Sequence, residues 1–214
     1  MTRVALIDYG SGNLRSAEKA LRHVASGMAR TPEVATTSDP RIIAAADAVV
    51  LPGVGAFSAC ATAVSAREGV REAMEMAVRR RGAPFLGICV GMQLMATRGL
   101  EFGETAGFDW IAGDVAPLPI EPPRIKAPHV GWNAVAFAPD CPLFAGLGPD
   151  VDMYFTHSFA FAPTTENSIA ARTDHGGLFV SAVRRDNLAG VQFHPEKSQA
   201  AGLTLLANFL GWRP

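Results

Sequence analysis

A chain of 214 residues, 49% of them hydrophobic, is most simply one domain built around a single buried sheet. Nineteen Lys and Arg against 20 Asp and Glu leave a net charge of −1, which speaks against nucleic-acid binding, and no apolar run approaches the roughly 20 residues of a membrane helix. The three cysteines have no metal-ligand spacing and form an odd set, so neither a metal, a cofactor nor a disulfide framework is expected.

Met1 to Asp8 runs into a strand without signal-peptide architecture, and a cytoplasmic protein is the expectation. Val4 to Ile7 is a continuous apolar run, as in a strand covered on both faces. The turn Gly10-Ser-Gly12 lacks the third glycine of a dinucleotide fingerprint, since Arg15 stands there. Asn13 reads as the N-cap of a helix whose apolar positions are Leu14, Ala17, Leu21, Val24 and Met28. Glu33 to Thr36, Ala48 to Leu51 and Pro84 to Ile88 are the next strands. Val70, Ala73, Met74, Ala77 and Val78 mark a helix face, closed by Arg79, Arg80 and Arg81 as a solvated end.

From about Gly107 the segments become short and alternating. Met153, Phe155, His157, Phe159 and Phe161 share one face of a predicted strand, with Tyr154, Thr156 and Ser158 on the other. Leu178 to Val183 and Leu188 to Phe193 flank a four-residue turn as a hairpin. A helix from Gln199 to Leu210 closes the chain. The predicted fold is α/β, one domain over residues 1–214, with a mostly parallel central sheet flanked by helices and an antiparallel β extension in the second half.

The sharpest chemical signal is Gly87-Ile-Cys89-Val-Gly91 at the junction of a strand and a helical pattern. This is the layout of a nucleophile elbow, in which small neighbours allow a tight turn that lifts the thiol out of the sheet edge. The Val90 amide then faces an oxyanion formed on a group that Cys89 attacks. Pro52-Gly53-Val54-Gly55 ends a parallel strand at the same edge, where a Gly53 or Val54 amide is a second candidate donor. The glycines around Val54 also leave that peptide free to turn. Cys60 and Cys141 lack such a context. In Phe193-His194-Pro195-Glu196 the proline biases His194 toward extended backbone, which puts the Glu196 carboxylate beside the imidazole. Base and orienter of a triad follow.

Gly-Ile-Cys89-Val-Gly-Met-Gln93 together with His194-Pro-Glu196 resembles the class I, or triad, glutamine amidotransferases. The segments Asp8 to Leu14, Leu51 to Gly55, Pro128 to Asn133 and Tyr154 to Ser158 are similar to the glutaminase subunits of imidazole glycerol phosphate synthases. The resemblance covers nearly the whole chain. It implies that Cys89, His194 and Glu196 hydrolyse L-glutamine and that ammonia passes to a (β/α)-barrel cyclase subunit, in a heterodimer of histidine biosynthesis. It further implies glutamine contacts from Gly55, Gln93, Glu101, Tyr154, His157 and Ser158, with the alternative of a satisfied core histidine left open for His157. Asn13, His129, Trp132 and Lys197 are candidates for the partner interface. The competing readings are a glutaminase for another synthase, such as that of pyridoxal phosphate, a silent regulatory subunit, or a free-standing γ-glutamyl hydrolase.

Overall fold

The computed structural model describes residues 2–10, 13–120, 127–149 and 151–214; Ser11 and Gly12 of the predicted turn lie outside these. Strand β1 (Arg3–Ile7) leads to helix α1 (Leu14–Ser26), then β2 (Glu33–Thr37), α2 (Pro40–Ala44), β3 (Ala48–Gly53), α3 (Phe57–Ser65), α4 (Val70–Met74), β4 (Phe85–Cys89) and α5 (Val90–Gln93). Short strands β5 (Arg98–Gly99) and β6 (Thr105–Ala106) precede β7 (Gly113–Pro117), β8 (His129–Phe137), β9 (Val151–His157) and β10 (Phe159–Pro163). Strands β11 (Ile169–Asp174), β12 (Leu178–Arg185) and β13 (Leu188–Val191) and helix α6 (Gln199–Gly211) complete the chain.

Among the described residues nine strands form one sheet in the order β2-β1-β3-β4-β13-β12-β11-β8-β9, and β10-β7-β5-β6 form a second. Within the large sheet β2, β1, β3, β4 and β13 are mutually parallel, whereas β12, β11, β8 and β9 continue it antiparallel. The hydrophobic pattern explains the division. Residues 48–53 and 85–89 are buried throughout, as strands with helices on both faces must be. Strand β9 instead alternates, with Met153, Phe155 and His157 buried and their neighbours partly open.

Three expectations change in detail. The apolar alternation from Met153 to Phe161 spans two strands, because the chain leaves the large sheet at Ser158 and enters the small one at Phe159. Asn13 precedes α1 with φ of 67° and makes no side-chain cap; its amide is used elsewhere. The arginine run is not wholly solvated, since Arg81 donates to the Ala44 and Ala46 carbonyls and ties the helix end to α2. Helices α2 and α3 have no clear apolar period in the sequence. Asp39 nevertheless caps α2 by accepting from the Arg41 amide.

Candidate active site

Parallel strands end at one edge, and Cys89 stands at the tip of β4 opposite Gly53 of β3. Its backbone is left-handed, with φ 53° and ψ −112°, a conformation costing on the order of 1–3 kcal/mol that the surroundings must impose. They do so by close packing. A Cβ on Gly91 would lie 1.8 Å from the Leu51 carbonyl oxygen, and one on Gly87 2.5 Å from that of Gly91. Only glycines let α5 sit against β3 and β4 tightly enough to turn the thiol outward. Because α5 spans just four residues, its contribution is local: Val90 is its first residue, and no preceding turn supplies a carbonyl for that amide.

His194 is extended, with φ −103° and ψ 93°, while Glu196 lies in the short 3-10 turn Pro195–Lys197. His194 Nδ1 donates to Glu196 Oε1 at 2.8 Å, and both side chains are 1% exposed. Strand β9 pins the base: His194 N donates to the Tyr154 carbonyl, and Ser198 Oγ donates to the His194 carbonyl while accepting from Tyr154 N. Nε2 is buried with no hydrogen-bond partner among the described residues, which leaves it for the thiol. Burial works against a charged ring, but Cys89 and Glu196 outweigh it and raise the His194 pKa to about 9. These two neighbours thus favour the charged form of the imidazole. Asn13 Nδ2 also donates to Glu196 Oε1, so this predicted interface residue touches the carboxylate that holds His194.

Beside Cys89 lies a cavity of about 260 Å³ lined by Val54, Gly55, Val90, Gln93, Glu101, Pro128, Thr156, His157, Ser158 and Phe159. That is just under the roughly 300–1,000 Å³ of cofactor and drug sites, a size suited to one small metabolite. Five of the six residues expected to touch glutamine line it; Tyr154 does not. The Tyr154 ring packs edge-on against Trp132 and under the Lys197 ammonium, with the interface candidates. Glu101 is held by accepting from the Phe57 amide at the start of α3, and Gly55 has a φ of +106° that favours glycine.

His129 cannot present itself to a partner, since it is 3% exposed and stacked between His175 and Phe155. It hydrogen-bonds His157 through Nδ1 at 3.1 Å, and His157 Nδ1 in turn donates to the Phe159 carbonyl. Burial, reinforced by His175, lowers the His129 pKa to about 4; burial lowers that of His157 to about 3. His157 is thus both a satisfied core histidine and part of the cavity wall. Sequence reasoning passed over Gln192, which is fully buried and reaches Cys89 Sγ. Its place two residues before His194, on the same face of the chain, was the available signal.

The model of the family described as glutamine amidotransferase class-I matches residues 5–211. The chain is 56% identical over 214 residues to the imidazole glycerol phosphate synthase subunit HisH of Caulobacter vibrioides, covering all of both chains. It is 51% identical to the protein of that name from Zymomonas mobilis subsp. mobilis, over 99% of this chain and 96% of the other. Among solved structures, a putative GMP synthase component from Thermoplasma acidophilum superposes with a TM-score of 0.66 at 21% identity, over 99% of this chain and 93% of that one. A structure described as glutamine amidotransferase gives 0.70 at 16% identity, over 98% and 99%. These last two speak for the fold alone. A nucleophile elbow, a buried histidine–glutamate pair and full-length sequence likeness agree: the chain belongs to the class I glutamine amidotransferases, in the branch of the imidazole glycerol phosphate synthase HisH subunits.

Proposed function

We propose that this chain is the glutaminase subunit of an imidazole glycerol phosphate synthase, working with a (β/α)-barrel cyclase subunit in histidine biosynthesis. Cys89 Sγ attacks the carboxamide carbon of L-glutamine, and the oxyanion is met by the Val90 amide and by one from Gly53 or Val54. His194 gives its proton to the departing ammonia, Glu196 holding the ring. Water then releases glutamate and returns the sulfur. Ammonia passes to the barrel subunit, where a phosphoribulosyl-aminoimidazole carboxamide nucleotide becomes imidazole glycerol phosphate and an aminoimidazole carboxamide ribotide. The observation carrying the reading is a strained Cys89 beside a cavity of amino-acid size, with the buried His194–Glu196 pair at the same edge.

Glutamate release by the isolated chain is expected to be slow and to rise at least tenfold when the barrel partner and its nucleotide ligand are added. Cys89→Ala should abolish it in both conditions. Full activity without partner or ligand would overturn the coupled reading, and activity in Cys89→Ala would overturn the triad.

A further inference from the structure

Between Cys89 and the Phe159 carbonyl runs a chain of side-chain amides whose direction is forced. Gln93 Nε2 lies 3.0 Å from the Phe159 carbonyl oxygen and 3.0 Å from Gln192 Oε1, and Gln192 Nε2 lies 3.5 Å from Cys89 Sγ. A backbone carbonyl only accepts, so the NH₂ group of Gln93 must face Phe159. The second hydrogen of that NH₂ needs an acceptor, which sets the oxygen of Gln192 toward Gln93 and its NH₂ toward the sulfur. Turning either amide over would press two donors or two acceptors together inside a buried site.

The opposite arm is equally constrained. His157 Nδ1–H donates to the same carbonyl, which makes its Nε2 the acceptor from His129 Nδ1–H. His129 Nε2 accepts in turn from Asn133 Nδ2. Both rings are consequently neutral, as their burial requires. The Phe159 carbonyl is the common terminus, and nothing in the amide arm titrates.

The geometry points to Gln192 as a catalytic residue of this site, one that donates a fixed N–H to Cys89 Sγ and so favours an accepting, anionic sulfur. His194 also meets the sulfur, but it surrenders its proton in each turnover. It passes that proton to ammonia and recovers one from water, whereas the Gln192 N–H does not titrate and faces the sulfur throughout. Gln192 does not line the cavity but holds Gln93, which does, so its N–H acts on the sulfur and its oxygen on the cavity wall.

The inference rests on the glutaminase reading for its meaning, though alkylation of Cys89 by iodoacetamide needs no glutamine and tests it separately. In Gln192→Leu and Gln192→Met alkylation at neutral pH, with Cys89 identified by peptide mass, should be at least tenfold slower than in the wild type. In the stimulated complex kcat should fall at least tenfold, a loss that saturating glutamine does not restore. An unchanged alkylation rate in a variant with a wild-type melting curve would overturn the proposal. Should neither apolar variant fold, Gln192→Glu keeps volume and the acceptor for Gln93 while setting a carboxylate oxygen against the sulfur. Its alkylation at neutral pH must then be slower than that of the wild type, and equal rates would again overturn the proposal. Failure of the wild-type complex to release glutamate would count against the glutaminase reading alone.

Discussion

Three buried histidines are driven in opposite directions by their surroundings, and the stability of the fold should record both. His194 has a folded pKa of about 9, above the ordinary 6.5, so its contribution is fully present below about pH 6.5 and is lost as pH rises through 9. His129 and His157 have folded values of about 4 and 3. They bind protons more readily unfolded, so their contribution is present above about pH 6.5 and is lost as pH falls toward 4 and 3. Denaturant titrations across pH should therefore show a plateau near neutrality with limbs on both sides. His157→Asn keeps a donor for the Phe159 carbonyl without a titrating ring and should flatten the acid limb; Glu196→Gln should flatten the alkaline one. Limbs unchanged in these variants would reassign them to other groups.

At the scale of elements, the site depends on the closeness of α5 to β3 and β4. A methyl on Gly91 would meet the backbone oxygen of Leu51 at 1.8 Å, and no rotamer change relieves a clash with main chain. Gly91→Ala should cost more than about 3 kcal/mol, beyond the usual range for an overpacked core, and should remove activity with it. Gly211, at the end of α6, faces open space, and its alanine variant should stay within about 0.5 kcal/mol of the parent. Comparable midpoints of thermal or urea unfolding for the two variants would contradict this account. Strand β9 serves the site twice, since its backbone pins His194 and Ser198 while its last residues line the cavity.

For the whole molecule, strand β8 presents Val130 at 57% and Trp132 at 47% exposure, with Tyr154 and Lys197 packed alongside. An exposed tryptophan beside a basic side chain has the composition of a binding hot spot. Trp132→Ala is expected to weaken binding of the barrel subunit proposed above by at least tenfold, equivalent to about 1.4 kcal/mol, and to leave the melting temperature of the isolated chain nearly unchanged. Titration calorimetry with the barrel partner, together with a thermal melt, checks both halves. Asn13 belongs to this scale as well, because it joins the start of α1 to Glu196.

The parallel strands, the elbow and the His194–Glu196 pair were legible in the linear sequence because each is a local pattern. Apolar runs make covered strands, glycines flank a tight turn, and residues on either side of a proline meet without long-range help. What lay beyond the sequence depends on side chains brought together from distant segments. Tyr154 turned outward because Trp132 and Lys197 offered its ring a surface, and His129 turned inward between His175 and Phe155. Gln192 reached Cys89, 103 positions earlier, because β13 runs parallel to β4 with Val191 beside Ile88. The residue types and local backbone determined which thiol stands on the elbow and which imidazole meets a carboxylate. Only the tertiary structure decided which neighbours surround and aim them, since hydrogen-bond direction in a buried site is set by every partner at once.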